Sequence, residues 1–201
     1  MFRSLLMAGA LPYKRQLEYL ESTSTQWIDT GIDINSTQKI EIGAQILSFA
    51  LHYNSGIVGA NNNGSRSSGI ASPSNTIVQF CAYNGVKSLD VASVSDRIHE
   101  YIVDFATSTA RFDETSTDIS SQGIYAAGTN VYIFALSKSN MGTAKGDSGV
   151  SGRVAYARVY ADNILARDFI PVLDNNDVPC LYDKVSKQCF YNKGTGQFNY
   201  A

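Results

Sequence analysis

The sequence predicts an all-β protein, a sandwich of two facing sheets. Three observations predict it. Short apolar runs recur along all 201 residues, each cut off by Gly, Pro, Asn or Asp. No helical 3.6-residue period persists beyond two turns. Lys39 to Leu47 alternates cleanly between apolar and polar positions. Many short strands without alternating helices pack as two sheets over one core. A domain of this length buries roughly 70% of its unfolded surface, so its core needs no metal or disulfide staple.

In chain order, residues 1–15 read as an N-terminal docking arm and residues 16–201 as the sandwich. Arg3 would serve as the basic start of a secretory signal and Ala8-Gly9-Ala10 as its cleavage site. The apolar stretch Leu5-Leu6-Met7 falls well short of the about 7–15 residues such a signal needs. The expected role of the arm is docking, on this domain or another subunit, through Phe2, Arg3, Leu5, Leu6 and Met7. From Leu17 the chain becomes strand-like, through Tyr19-Leu20 and then Gln26 to Ile32. Lys39 to Leu47 places Ile40, Ile42, Ala44 and Ile46 on one face of a strand with one buried side.

Ile57 to Ala60 is a short strand, and Asn61 to Gly69 is the most loop-like segment. Thr76 to Tyr83 ends at Asn84-Gly85, a strong hairpin signal. Ser93 to His99 admits one short helix. Further strands are expected at Tyr101 to Phe105, Ala110 to Asp113, Val131 to Leu136 and Val154 to Tyr160. Ser137 to Gly152 is a long Ser/Gly/Lys loop of the kind that is functional or mobile. The last third, from Ile164 to Phe198, alternates apolar clusters with turn signals at Pro171, Asp174 to Asp177, Asp183 to Ser186 and Asn192 to Gly196.

Charged residues make up 17% of the chain, against roughly 25% in typical soluble domains. Ser, Thr, Asn, Gly and Tyr stand in their place, a surface suited to packing among neighbours or facing sugars. The net charge is −2 with scattered Lys and Arg, which gives no footprint for nucleic acid. No apolar run approaches the about 18 residues of a membrane span. The three cysteines, Cys81, Cys180 and Cys189, do not make a disulfide framework. Cys180 and Cys189 flank a turn and allow one bridge; the preferred reading is three buried thiols.

Two segments carry a resemblance when taken together. The first is Tyr19 to Ile32, with Gln26-Trp27-Ile28-Asp29-Thr30-Gly31 at its centre. The second joins Arg167-Asp168-Phe169-Ile170-Pro171, Leu181-Tyr182-Asp183, Phe190-Tyr191-Asn192 and Gly194-Thr195-Gly196-Gln197-Phe198. They resemble the opening and closing strands of concanavalin A-like (laminin-G-like) lectin/glucanase jelly-roll domains, of the group found in phage and prophage structural proteins of gut bacteria. The resemblance covers about residues 17–200, densely at both ends. It departs at Cys180, where a Gly usually precedes Leu-Tyr-Asp, and at Ala110 to Asp113, which lacks the usual Asp-Gly hairpin.

The resemblance implies a jelly-roll sandwich and a non-catalytic virion structural protein, a fibre or decoration subunit of capsid or tail. Such a subunit would bind other virion proteins through the arm, form a homo-oligomer and present a glycan-binding surface to host cells. The alternative it leaves open is a bacterial cell-surface or secreted lectin-like adhesin. Retaining hydrolases of this class carry Glu-x-Asp-x-x-Glu on one strand, with carboxyl groups about 5 Å apart. Glu18, Glu41 and Glu100 are each followed by other residues, so no enzyme is expected.

His52 and His99 lie in no nucleophile elbow or metal-ligand spacing and read as surface or satisfied strand histidines. Asp174-Asn175-Asn176-Asp177 is the best oxygen cluster for calcium, but Val178 falls where a third ligand should be. It reads as an Asx-bonded turn, and no cofactor is expected. Tyr53, Tyr83 and Tyr125 lie near loops where a ring could stack on sugar, and no sugar site follows from them. Trp27, Phe134, Phe169 and Phe190 read as core.

Overall fold

The computed structural model describes residues 11–34, 37–49, 56–62, 66–82, 85–119, 129–138 and 149–201. The expected arm contacts Phe2, Arg3, Leu5, Leu6 and Met7 lie outside the described residues, as do His52, Tyr53, Tyr83 and Tyr125.

In chain order the strands begin with β1 (Arg15–Gln16), β2 (Leu20–Thr23), β3 (Ile28–Asp33), β4 (Thr37–Ile46), β5 (Val58–Asn62) and β6 (Arg66–Ser74). They continue with β7 (Ile77–Ala82), β8 (Gly85–Asp90), β9 (His99–Asp104), β10 (Thr109–Phe112), β11 (Thr115–Asp118) and β12 (Asn130–Ile133). The last are β13 (Ser137–Lys138), β14 (Ser151–Ala161), β15 (Ile164–Leu173), β16 (Pro179–Asp183), β17 (Gln188–Phe190) and β18 (Asn199–Tyr200). The fold is all-β, two largely antiparallel sheets facing each other across one core.

The larger sheet runs β11-β10-β9-β4-β14-β15-β16-β17. β14 is longer than its partner, so β2 pairs with its first half and carries β18, while β15 pairs with its second half. β1 continues that edge by pairing with Val172 and Leu173 of β15. The smaller sheet runs β3-β12-β5-β6-β7-β8, with β13 parallel beside β5.

Alternation decides the core. Ile40, Ile42, Ala44 and Ile46 of β4 are buried as expected and meet Tyr101, Val103, Val154, Val159 and Phe169 of the same sheet. Facing them are Ile28, Val58, Ile70, Val78, Phe80 and Ile133 of the smaller sheet. Each such side chain contributes about 1.5–3 kcal/mol on burial. Trp27 lies apart, stacked on Tyr132 at 4.3 Å in a small cluster of its own.

The structure corrects several expectations. The loop expected at Asn61 to Gly69 is strand on both sides of residues 63–65, and its polar residues Asn61 and Ser68 are buried. The long loop from Ser137 is pared at both ends by β13 and β14. No helix forms at Ser93 to His99, because Asn75 Oδ1 accepts from Ser93 Oγ, Ser95 Oγ and the Val94 amide and holds an open turn. The hairpin expected at Asn84-Gly85 does form, β7 pairing antiparallel with β8 from Ala82 and Gly85 outward.

Pro171, expected as a breaker, lies inside β15. Its carbonyl points to Leu17, on the side where β14 has already stopped pairing at Phe169. The missing N–H therefore breaks no ladder. β10 turns into β11 through Asp113-Glu114, a hairpin without the Asp-Gly pair, with Asp113 at φ 47°.

Phe169 is fully buried at the centre of this core. Phe169→Ala is expected to cost about 3–5 kcal/mol in a urea-unfolding measurement, the range for truncating a buried phenylalanine.

Candidate functional site

The outer face of the larger sheet collects most of the polar chemistry of the chain. Alternation sends Lys39, Glu41, Gly43 and Gln45 of β4 to this face. Glu100 of β9, Arg111 of β10, Arg153, Tyr156, Arg158 and Tyr160 of β14, and Asp168 of β15 join them. Glu41 receives Lys39 at 2.7 Å and Arg158 at 3.2 Å. Arg158 also reaches Asp168 at 3.3 Å, and Asp168 takes Lys184 at 2.7 Å. One strand further out, Glu100 accepts from Arg111 and, at 2.8 Å, from the Tyr156 hydroxyl. At the other end Arg153 joins Glu21 at 2.5 Å and Gln45 at 3.1 Å.

The aromatic rings of this face are covered by the same cations. Lys39 lies over Tyr160 at 4.1 Å, Arg153 over Tyr19 at 4.6 Å and Arg158 over Tyr156 at 5.3 Å. The Tyr156 ring rests on Gly43 so closely that a Cβ there would sit 2.4 Å from it. The face is a cross-linked lattice of charge and ring. Glu41 and Glu100 stand diagonally on the neighbouring strands β4 and β9. Burial works to raise the Glu41 carboxyl, but the hydrogen bonds and charges of Lys39 and Arg158 outweigh it and hold it below its ordinary value. A carboxyl held ionised in this way cannot serve as a proton donor near neutral pH.

The motifs at the two ends of the chain meet elsewhere. Asn192 Oδ1 accepts from the Trp27 and Gly194 amides at 3.1 and 2.8 Å, and its Nδ2 donates to Gly196 O at 2.9 Å. The Lys193 amide donates to Trp27 O, and the Thr195 amide to Thr25 O. Gln26 Oε1 accepts the Thr23 amide at 2.8 Å, which fixes the other side of the contact. Gly194 has to be glycine, because a Cβ would lie 1.9 Å from Thr25 O. Residues 22–27 and 192–198 thus form a clasp.

Beside the clasp lies Asp183, fully buried. Its Oδ1 accepts from the Asp168 and Val185 amides at 2.8 and 3.0 Å, and its Oδ2 from the Ser186 amide at 3.0 Å. Arg167 lies 3.8 Å away and donates to Thr30 O at 2.9 Å, so it links the two sheets. Burial opposes ionisation of Asp183, and the amide hydrogen bonds overcome it, so its carboxyl sits below the ordinary value.

The remaining candidates resolve as local structure. His99 is a buried strand histidine, its Nδ1 2.8 Å from Asp113 and its Nε2 2.8 Å from Asp96, stacked on Phe112 at 4.7 Å. Asp174 accepts the Asn176 and Val178 amides at 2.8 and 2.9 Å, an Asx turn, and Asp177 pairs with Lys14 at 2.6 Å. Among the described residues no group of three or more His, Cys, Asp or Glu is placed to hold a metal ion. All three cysteines are free thiols; β16 and β17 set Tyr182, not Cys180, opposite Cys189. The lattice escaped sequence reasoning because it depends on strand register. Its one visible signal was the alternation of Lys39 with Glu41 and of Arg158 with Tyr160.

Asn192→Ala removes three hydrogen bonds and is expected to cost about 2–4 kcal/mol. Faster amide exchange at Trp27 and Gly194 would locate the loss. Asp183 and Glu41 titrate below their ordinary values, as does Asp174, where burial is overcome by the Val178 and Asn176 amides and the Tyr191 hydroxyl. Their stabilisation is complete above the unfolded carboxylate values, about pH 4, and is lost as pH falls through the depressed native ones. Asp183→Asn replaces an acceptor with a donor facing amide N–H groups and is expected to cost about 3 kcal/mol at pH 7. The same variant should unfold with a flatter dependence on pH below about 5, followed by thermal melts across an acid series. No family model, no curated protein and no solved structure matches the chain.

Proposed function

We propose that this chain is a non-catalytic structural protein of a phage virion, a fibre or decoration subunit that presents a glycan-binding surface to the host. On this reading the sandwich is a jelly roll of the concanavalin A-like kind, anchored to other virion proteins through residues 1–10 and assembled as a homo-oligomer. The observation that carries it is the outer face of the larger sheet. Its carboxylates Glu41 and Glu100 are tied to Lys39, Arg158, Arg111 and Tyr156 rather than left free for acid and base roles. Glu41, held ionised by Lys39 and Arg158, makes a poor proton donor, which supports a structural rather than a hydrolytic reading. The convergence of both resemblance motifs in one clasp supports the same family reading.

Mass spectrometry of purified phage particles tests the proposal. The chain is expected in stoichiometric amount, and a version lacking residues 1–10 is expected to be absent from particles while remaining folded. Its absence from particles with recovery on bacterial surfaces would favour the adhesin instead.

A further inference from the structure

Tyr191 follows β17 directly and is 42% exposed. It is nevertheless held in place. Its hydroxyl donates to Asp174 Oδ2 at 2.9 Å, and Asp174 is itself fixed by the Asn176 and Val178 amides. Two open recesses share this residue in their walls. One, of about 260 Å³, is lined by Asp29, Gly31, Phe190 and Lys193. The other, of about 180 Å³, is lined by Pro179, Asn192, Gly194 and Gln197.

We propose that this pair of recesses binds neutral pyranose glycans, with Tyr191 as the stacking platform and Lys193, Asp29 and Gln197 as partners of the sugar hydroxyls. The inference rests on the glycan-presenting part of the proposed function and is independent of particle membership. A pyranose offers an apolar C–H face, which an aromatic ring covers, and a rim of hydroxyls that both donate and accept. A ring already immobilised loses little freedom on binding. By contrast, Tyr19, Tyr156 and Tyr160 on the larger sheet are capped by their own cations.

The polar groups suit a neutral ligand. Lys193 is exposed and has no ion-pair partner among the described residues, so its ammonium is free to donate. Asp29 Oδ1 accepts from the Gly31 amide at 2.8 Å and from Asn130 at 3.0 Å, which leaves Oδ2 to accept from a hydroxyl. Lys193 and Asp29 offset each other, and the Arg167 guanidinium beside Gly31 and Phe190 is itself committed to Asp183 and Thr30 O, so the recess offers an acidic sugar no strong net attraction. Gly31, at φ 68°, keeps the wall free of a side chain. Each recess is smaller than the about 300–1,000 Å³ of drug-sized sites, so each fits a single sugar unit of a linked glycan.

The test applies the full chain to an array of neutral oligosaccharides of glucose, galactose, mannose and N-acetylhexosamines, beside sialylated, uronic and sulfated ones. Capture of neutral glycans in preference to acidic ones is expected. Titration with the methyl glycoside of the captured sugar should then shift the amide signals of Tyr191 to Gln197. Tyr191→Ala is expected to weaken binding at least about tenfold, near 1.4 kcal/mol. Lys193→Gln, at an exposed side chain with no ion-pair partner among the described residues, should weaken it comparably with an unchanged melting temperature. Failure to capture any neutral glycan, a preference for acidic glycans, or binding unchanged in both variants would overturn the inference. A chain found in particles yet blind to neutral glycans would overturn it while leaving virion membership standing.

Discussion

The structure depends on the joining of its two chain ends. Thr25 and Trp27 lie some 165 to 170 positions before Asn192 and Thr195, yet the two segments are held by backbone hydrogen bonds on both sides of one asparagine side chain. β18 repeats the join by pairing with β2, and the Glu18 amide reaches the carbonyl of Ala201. Closing so long a loop costs only slowly more entropy as the loop grows, but the closure has to be made by contacts specific enough to fix one register. Asn192 supplies that specificity, because its amide both accepts and donates and so reads backbone groups of either kind. Gly194 lets the two backbones come within reach. With the ends held, β2 stays against β14, and the larger sheet keeps its branched edge.

A second constraint follows from the length of β14. It runs past both partners on one edge, so the larger sheet cannot be a simple ladder. β15 fills one half of that edge and β2 the other, β1 pairs with the end of β15 beyond it, and Pro171 stands at the seam, where no donor is needed. On the outer face of this sheet the interlocked side chains bury even Glu41 and Gln45. Exposed ion pairs contribute little, and isolated ones at a surface are close to neutral. Lys39, Arg111, Arg153 and Arg158 differ because each serves two partners or lies over a ring, so removing one leaves several groups unsatisfied in a partly dehydrated setting. The low charge content of the chain is therefore concentrated where it does structural work.

Much of this was legible in the sequence. The alternation of Ile40, Ile42, Ala44 and Ile46 gave β4, and the closing clusters gave β15 to β17, because a period of two and a Gly/Asp boundary are local signals. What failed was composition read as conformation. Asn61 and Ser68 look like loop residues, but each lies in a paired strand and is buried, and only the sheet reveals that. Asp113-Glu114 turns a hairpin without glycine, since aspartate tolerates a positive φ. Ser93 to His99 carried an apolar spacing compatible with a helix, and Asn75, eighteen residues away, took its donors instead. The lattice on the outer face and the recesses beside Tyr191 were out of reach for the same reason. Glu41 and Glu100, or Asp29 and Lys193, become neighbours only through register and through the clasp.

The placement of the candidate glycan site on the clasp has a physical logic. A binding surface on a free loop has to be ordered by its ligand, and that ordering subtracts from affinity. The backbone from Phe190 to Phe198 is already ordered by the hydrogen bonds that close the domain, so its side chains stand on a support that cannot shift without opening the fold. Tyr191 is exposed while its hydroxyl is anchored on Asp174, and Lys193 is exposed, whereas the side chain of Asn192 and the close approach at Gly194, which alternate with them, are consumed by the fold. One stretch of extended chain therefore divides its residues between two tasks, with one side closing the sandwich and the other left for a ligand. The aromatic Phe-Tyr-Asn and the Gly-Thr-Gly-Gln run that read as one motif in the sequence are the two halves of that division.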